Sequence, residues 1–269
     1  MRIKPKKRLG QIFLTDKNIR GKIIENCRLS ASDIVLEIGA GRGEITSLIS
    51  RKARFVYAVE IDSSLCIILK ASLSGLNNVE IIRENVLKFD FKKFFAKIND
   101  KIKVIGNIPY YITTPIIERL LEYRDKIDAV FIMVQREFAL RAASKPGSKS
   151  FGALSCFIQY YTIPRILFPV SKSCFYPAPK VDSCFLELAI RKEPAVKVDD
   201  EELFFKIIRA GFNKRRKTLR NSLREIVPQQ KLGAFFEKYR IDKNIRPECI
   251  SLADFANLAN LSIRYNETG

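Results

Sequence analysis

Between Asp33 and about Val134 the chain alternates short apolar runs with longer stretches in which apolar residues recur every three or four positions. The short runs, bounded by turn residues, predict strands; the longer period predicts amphipathic helices; their alternation predicts a parallel sheet covered by helices on both faces. Predicted strands are Ile34 to Ile38, Phe55 to Ile61, Val79 to Arg83, Val104 to Ile108 and Ala129 to Val134. One helix is delimited by its own chemistry. Thr113-Thr114-Pro115 places proline at a first helical position, and Ile116, Ile117, Leu120 and Leu121 then share a face. Leu154 to Tyr161 and Val181 to Ile190 are expected as further strands closing the sheet.

A polar joint from Arg191 to Asp200 ends this pattern, and the chain reads as helical from there on. The expected organisation is an α/β domain over residues 1–192, including a basic N-terminal segment over 1–30, and a small all-helical domain over 193–269. No internal repeat or low-complexity tract interrupts either part.

Composition narrows the function. With 47% hydrophobic and 29% charged residues the chain is globular rather than collagen-like or disordered. No apolar run approaches the roughly 20 residues of a membrane helix, and the opening Met1 to Arg8 is basic with no apolar stretch behind it, so a cytoplasmic protein with no membrane partner is expected. Forty-eight Lys and Arg against 29 Asp and Glu leave a net charge of +19, which favours a polyanion such as nucleic acid. The absence of histidine excludes Ser-His-Asp triads, histidine bases and His-ligated zinc. Chemistry must therefore run on amides, carboxylates, backbone groups or a cofactor, and no metal is expected. The six cysteines include no C-x-x-C pair and read as reduced core thiols.

Two motifs carry candidate chemistry. The first strand runs into Glu37-Ile38-Gly39-Ala40-Gly41-Arg42-Gly43-Glu44, a strand-to-helix turn that admits a ligand close to the backbone. A dinucleotide fingerprint wants its third glycine at position 44; glycines at 39, 41 and 43 instead resemble the E-x-G-x-G-x-G turn of S-adenosylmethionine-dependent methyltransferases. The second strand ends in Glu60-Ile61-Asp62, which puts a carboxylate where it can accept both hydroxyls of a ribose, an acid that NAD enzymes carry as well. The fourth strand ends in Asn107-Ile108-Pro109-Tyr110, at the sheet edge where open α/β proteins bind ligands. An exocyclic adenine amine is a poor nucleophile because its lone pair is conjugated into the ring. The Asn107 side-chain oxygen and the Ile108 carbonyl can accept its two N–H groups and draw the nitrogen toward a tetrahedral geometry. Pro109 would fix the turn, and Tyr110 would stack on an extruded base.

Further segments give a resemblance that spans nearly the whole chain. Lys7-Arg8-Leu9-Gly10-Gln11-Ile12-Phe13-Leu14, Phe175-Tyr176-Pro177-Ala178-Pro179-Lys180-Val181-Asp182-Ser183, the run from Phe212 to Leu223, and Ser251-Leu252-Ala253-Asp254-Phe255 join the tetrapeptide at 107–110. Together they resemble motifs of the bacterial small-subunit ribosomal RNA adenine dimethyltransferases, the kasugamycin-sensitivity family. The resemblance implies a class I, Rossmann-like methyltransferase fold and S-adenosylmethionine as cofactor. It also implies cofactor contacts at Ile12, Leu14, Gly39, Gly41, Glu60, Asn85 and Asn107, with Phe175 as a second aromatic wall for the target base. Ile12 stands where the family usually has Asn, and Asn85 where it usually has Asp. The implied substrate is a pair of adjacent adenines near the 3′ end of 16S RNA in the small (30S) ribosomal subunit, each dimethylated by a monomeric enzyme. Two alternatives stand beside this one: a 23S adenine methyltransferase of the antibiotic-resistance type, and an RNA-binding assembly factor with little catalysis.

Basic residues cluster twice. Arg2, Lys4, Lys6, Lys7 and Arg8 lead the chain, while Arg209, Lys214, Arg215, Arg216, Lys217, Arg220 and Arg224 crowd a stretch read as helical with no acid among them. Neither run looks neutralised locally. The helix has an apolar side in Phe204, Ile207, Ile208 and Phe212, which leaves Arg215, Arg216, Lys217 and Arg220 for RNA phosphates. Lys145 to Ser150 reads as a flexible basic loop.

Overall fold

The structure, a computed structural model, describes residues 4–214 and 216–264. Its strands are β1 (Phe13–Leu14), β2 (Ile34–Ile38), β3 (Phe55–Glu60), β4 (Val79–Arg83), β5 (Ile102–Gly106), β6 (Ile127–Gln135), β7 (Thr162–Val170), β8 (Phe175–Tyr176) and β9 (Ser183–Ile190). The helices through the sheet region are α1 (Lys17–Asn26), α2 (Glu44–Ser50), α3 (Ser63–Ser72), α4 (Phe91–Phe95), α5 (Thr113–Glu122) and α6 (Arg136–Ala142). The remainder are α7 (Ala153–Tyr161), α8 (Glu201–Asn213), α9 (Leu219–Leu223), α10 (Gln229–Lys238) and α11 (Leu252–Arg264).

Seven strands form one sheet in the order β4-β3-β2-β5-β6-β9-β7. The pairings from β4 to β6 are parallel and β9 joins β6 antiparallel. Every residue of β2 is buried, as expected of a central strand covered on both faces. Chain order runs outward from β2 in both directions, so the connections after β2 and after β5 leave on opposite sides. That topological switch point opens a crevice at the carboxyl ends of these two strands, where the register closes with Ile38 opposite Gly106. Asn107 is thus the first residue beyond the ladder, since the fourth predicted strand ends two residues earlier than Ile108. The α5 helix places Ile116, Ile117, Leu120 and Leu121 in the core but starts at Thr113, so Pro115 is its third residue.

One segment departs from its predicted type. Leu154 to Tyr161, expected as a strand, belongs to α7. A continuous apolar run does not separate a buried strand from a buried helix, and the helix is started by the Ser155 hydroxyl accepting the Gly152 N–H at 3.0 Å. The strand lies just beyond it, as β7, whose Pro164 and Pro169 masked it in the sequence; β7 is an edge strand, where proline is tolerated.

The chain divides into two compact units, 1–139 with 165–190, and 140–164 with 191–269. The expected division put 140–164 in the first part. In the second unit the rings of Tyr160 and Phe204 lie 5.2 Å apart, and Glu201 at the start of α8 accepts the Tyr160 and Tyr161 hydroxyls, which ties α7 to the helices after residue 200. The Lys145–Ser150 loop is fastened there as well, by the Gly147 N–H donating to the Glu248 carbonyl at 2.7 Å.

Candidate functional site

The crevice is built from the turns that follow β2, β3, β4 and β5. After β2 the backbone is left-handed at Gly39, Gly41 and Gly43, which accounts for the alternating glycines. Gly39 is the one set against another turn's backbone: at φ +78° a Cβ would lie 3.2 Å from the Asn107 carbonyl oxygen. Only glycine allows the two turns to pass this closely. At the end of β3, Glu60 is 6% exposed; one carboxylate oxygen accepts the Gly41 N–H and the other the Asp62 N–H, both at 2.9 Å. Burial pushes the Glu60 carboxyl up, and these backbone donors oppose the rise.

From the other side of the switch point, Asn107 donates its side-chain N–H to the Ile12 carbonyl at 3.3 Å. Its side-chain oxygen makes no hydrogen bond among the described residues, and Asn107 lines the crevice. Ile108 is buried, and Pro109 starts a short 3-10 turn over Tyr110–Ile112. The Tyr110 hydroxyl is 2.5 Å from the Ser183 hydroxyl, which fixes the ring at the crevice wall; burial pushes its pKa up. Tyr111, 68% exposed, lies at the same opening.

All seven residues expected at a cofactor, Ile12, Leu14, Gly39, Gly41, Glu60, Asn85 and Asn107, line this one crevice together with Ile108, Pro109 and Tyr110. Asn85 lies in the turn after β4, where its side-chain oxygen accepts the Leu87 N–H at 3.0 Å. Phe175, expected as an aromatic wall, is elsewhere. Its ring is 4% exposed and packs in the core with Leu14 and Ile23, because β8 pairs with β1 and sets Phe175 opposite Leu14. A phenylalanine in a proline-rich motif reads the same in sequence whether it faces a ligand or the core.

Two buried acids within the motifs were not among the expected site residues, and of these Glu37 stands apart. It is 2% exposed, it borders the crevice, and its Oε2 has no hydrogen-bond partner among the described residues. Burial raises its pKa to about 8, tempered by the Thr46 hydroxyl and reinforced by Glu60 and Glu44. The signal was present as one acid inside the otherwise apolar run Ile34-Val35-Leu36-Glu37-Ile38. Asp62 is the other, and its partners come from the N-terminal segment: Lys6 Nζ at 2.6 Å and Gln11 Nε2 at 2.8 Å.

The basic runs are partly answered. Lys6 is engaged by Asp62, and Arg2 lies outside the described residues. The second run is not one helix: α8, which carries Arg209, ends at Asn213 and α9, which carries Arg220, begins at Leu219, so Lys214, Arg216 and Lys217 lie between the two helices. Arg215 lies outside the described residues; Arg216 and Lys217 are exposed, and Arg220 donates to Gln229 at 3.0 Å. Glu225, just past the run, meets Lys214 at 3.2 Å and Arg224 at 3.8 Å.

A family model described as ribosomal RNA adenine dimethylase matches residues 2–264. A protein of Alkaliphilus metalliredigens named ribosomal RNA small subunit methyltransferase A is 43% identical over 262 residues, covering 94% of this chain and 90% of its own. One of the same name from Lachnoclostridium phytofermentans is 44% identical, covering 95% and 90%. Among solved structures, the 23S rRNA methyltransferase ErmE superposes with a TM-score of 0.75 at 25% identity, covering 93% of this chain and 99% of that one. A dimethyladenosine transferase from Plasmodium falciparum superposes at 0.79 with 24% identity, covering 96% and 98%, a likeness of fold.

Glu37 gives the site a pH signature. Its folded pKa of about 8 exceeds the ordinary 4.5, so the folded protein holds more protons than the unfolded chain between those values and loses stability as pH rises through that window. Glu37→Gln is expected to reduce this loss in denaturant titrations between about pH 5 and 8. An unchanged slope would mean that Glu37 is charged in the folded protein throughout.

Proposed function

The chain belongs to the ribosomal RNA adenine dimethylase family, and we propose that it dimethylates N6 of two adjacent adenines near the 3′ end of 16S RNA in the small ribosomal subunit. The reading rests most on one observation: the Asn107 amide gives its N–H to Ile12 and keeps its oxygen as an acceptor at the crevice. S-adenosylmethionine, when bound, supplies a methyl group on a positively charged sulfur.

The residues present fit that cofactor. The Glu60 carboxylate puts an acceptor on the crevice wall, and the Glu37 carboxyl, kept protonated by burial below about pH 8, has its Oε2 unpartnered among the described residues; both offer oxygens to a guest bearing an ammonium and a ribose diol. Asn85 would offer its amide oxygen to the adenine amine of the cofactor, without the charge assistance of an aspartate. Ile12 and Leu14 supply an apolar border.

Toward the RNA, the Asn107 oxygen and the Ile108 carbonyl accept the two N–H groups of the target amine and hold its lone pair out of conjugation. Neither group removes a proton; both act by alignment and by stabilising positive charge that develops on nitrogen as its N–CH3 bond forms and the S–CH3 bond would break, and the methylated nitrogen then gives its proton to water. Tyr110, held by Ser183, offers a face for the base, and Tyr111 offers a second ring at the opening in place of Phe175. An amide and a carbonyl suffice for this chemistry, so the reading calls on no metal. It also takes the protein to act as a monomer in the cytoplasm, where small subunits are assembled. The relatives at 43% and 44% identity favour the small-subunit reading over the 23S one, whose solved representative is 25% identical.

Transfer of labelled methyl to unmodified small subunits, with the product mapped, tests this; label on 23S RNA, or none, would overturn it. Asn107→Ala is expected to lower turnover about a hundredfold or more while leaving most cofactor affinity, read by single-turnover kinetics and calorimetry. Wild-type turnover would remove Asn107 from the mechanism. Arg216→Ala and Lys217→Ala are expected to weaken RNA binding and to flatten its log–log salt dependence by roughly 0.7 to 0.9 per phosphate contact. An unchanged slope in filter binding would show that this turn does not touch RNA.

A further inference from the structure

The N-terminal segment from Lys6 to Ile12 crosses the crevice as a strap, and its anchor is an acid that the mechanism above does not use. Asp62 is 2% exposed and directly follows the β3 end that carries Glu60. Its Oδ1 takes Lys6 Nζ at 2.6 Å and its Oδ2 takes Gln11 Nε2 at 2.8 Å. Gln11 in turn accepts the Lys6 backbone N–H at 2.8 Å, so Lys6, Gln11 and Asp62 close a ring. Burial pushes the Asp62 carboxyl up, but the Lys6, Gln11 and Ser64 donors together hold it below the usual carboxylate range.

The strap meets the 107–111 turn at two points. The first is the Ile12 carbonyl, which receives the Asn107 side-chain N–H. The second is Gly10, left-handed at φ +61°, where a Cβ would lie 2.9 Å from the Tyr111 ring and 3.1 Å from Pro109 Cβ. A shift of the strap therefore moves the partner that decides which end of the Asn107 amide faces the crevice.

We propose that Asp62 is a positioning residue: by anchoring the strap it fixes the Ile12 carbonyl, and the Ile12 carbonyl orients the Asn107 amide with its oxygen toward the reacting amine. The inference rests on the reading of Asn107 as the acceptor for that amine. It also explains how isoleucine stands at position 12, because the contact is made by the main chain, which any residue there supplies.

Asp62 has a structural task as well, capping α3 by accepting the Ser64 N–H at 3.0 Å. Asparagine caps a helix as well as aspartate does, so Asp62→Asn keeps the cap. It breaks the strap ring, because an amide N–H₂ then faces the Gln11 or Lys6 donors. Adding Gln11→Glu reverses the lost bond and keeps an anion beside Lys6. Lys6→Met with Gln11→Ala attacks the ring from the strap and leaves the cap untouched.

The test is hydrogen exchange of the strap in the cofactor-free protein together with kcat for methyl transfer. The amides of Lys6, Leu9 and Gly10 are hydrogen-bonded and report on the strap. Asp62→Asn and the Lys6→Met/Gln11→Ala pair are expected to speed their exchange and to lower kcat, each about tenfold, with little change in KM for the small subunit. The Asp62→Asn/Gln11→Glu pair is expected to recover both. Wild-type exchange in the single variant, a loosened strap with wild-type kcat, or failure of the rescue would each overturn the proposal. If the wild-type protein transfers no methyl, the functional reading fails, and the exchange data still judge the anchor.

Discussion

The close approach of Gly39 to the carbonyl of Asn107 is the constraint on which the site depends. Two turns leaving adjacent strands in opposite directions converge where a Cβ at residue 39 would lie 3.2 Å from a backbone oxygen. A parallel sheet produces the switch point, but the glycine lets its walls close to within reach of one small ligand. From that contact the arrangement radiates. One wall carries the buried acids at the ends of β2 and β3, the other carries the acceptor amide, and the N-terminal strap lies across them, bonded to both.

Charge is distributed with the same division of labour. A chain with a net charge of +19 keeps Glu37, Glu60 and Asp62 buried around its crevice and leaves Arg216 and Lys217 exposed at a turn in the other unit. Buried carboxyl groups suit a small guest bearing an ammonium and hydroxyls, and exposed cations select a polyanion. With no histidine, alignment and hydrogen bonding replace proton transfer as the source of rate.

What was legible in the sequence was what local chemistry dictates. The strands over 34–38 and 79–83 and the glycine turn follow from runs of residues whose partners are their neighbours. Gly39, Gly41, Glu60, Asn85 and Asn107 meet because their motifs end parallel strands on one edge of the sheet, and Ile12 and Leu14 join them from the N-terminal segment. Long-range partners were not legible. Phe175 is drawn into the core by a two-stranded pairing with Leu14, 161 positions away in sequence, and Lys6 is taken up by Asp62, 56 positions away. The α7 helix and the β7 strand were misread for a different reason. Apolarity alone does not set the period of a buried segment, and prolines hide an edge strand.

The central claim is that convergence at residue 39 makes the cofactor site, and Gly39→Ala tests it with least ambiguity. The side chain adds a single methyl at a left-handed position against the Asn107 backbone. Calorimetry with S-adenosylmethionine on the folded variant should show affinity reduced by about tenfold or more, with the fold kept by the intact strand pairings. Wild-type affinity in a variant of wild-type stability would contradict the account, because the walls of the crevice would then not depend on the approach of Gly39 to Asn107.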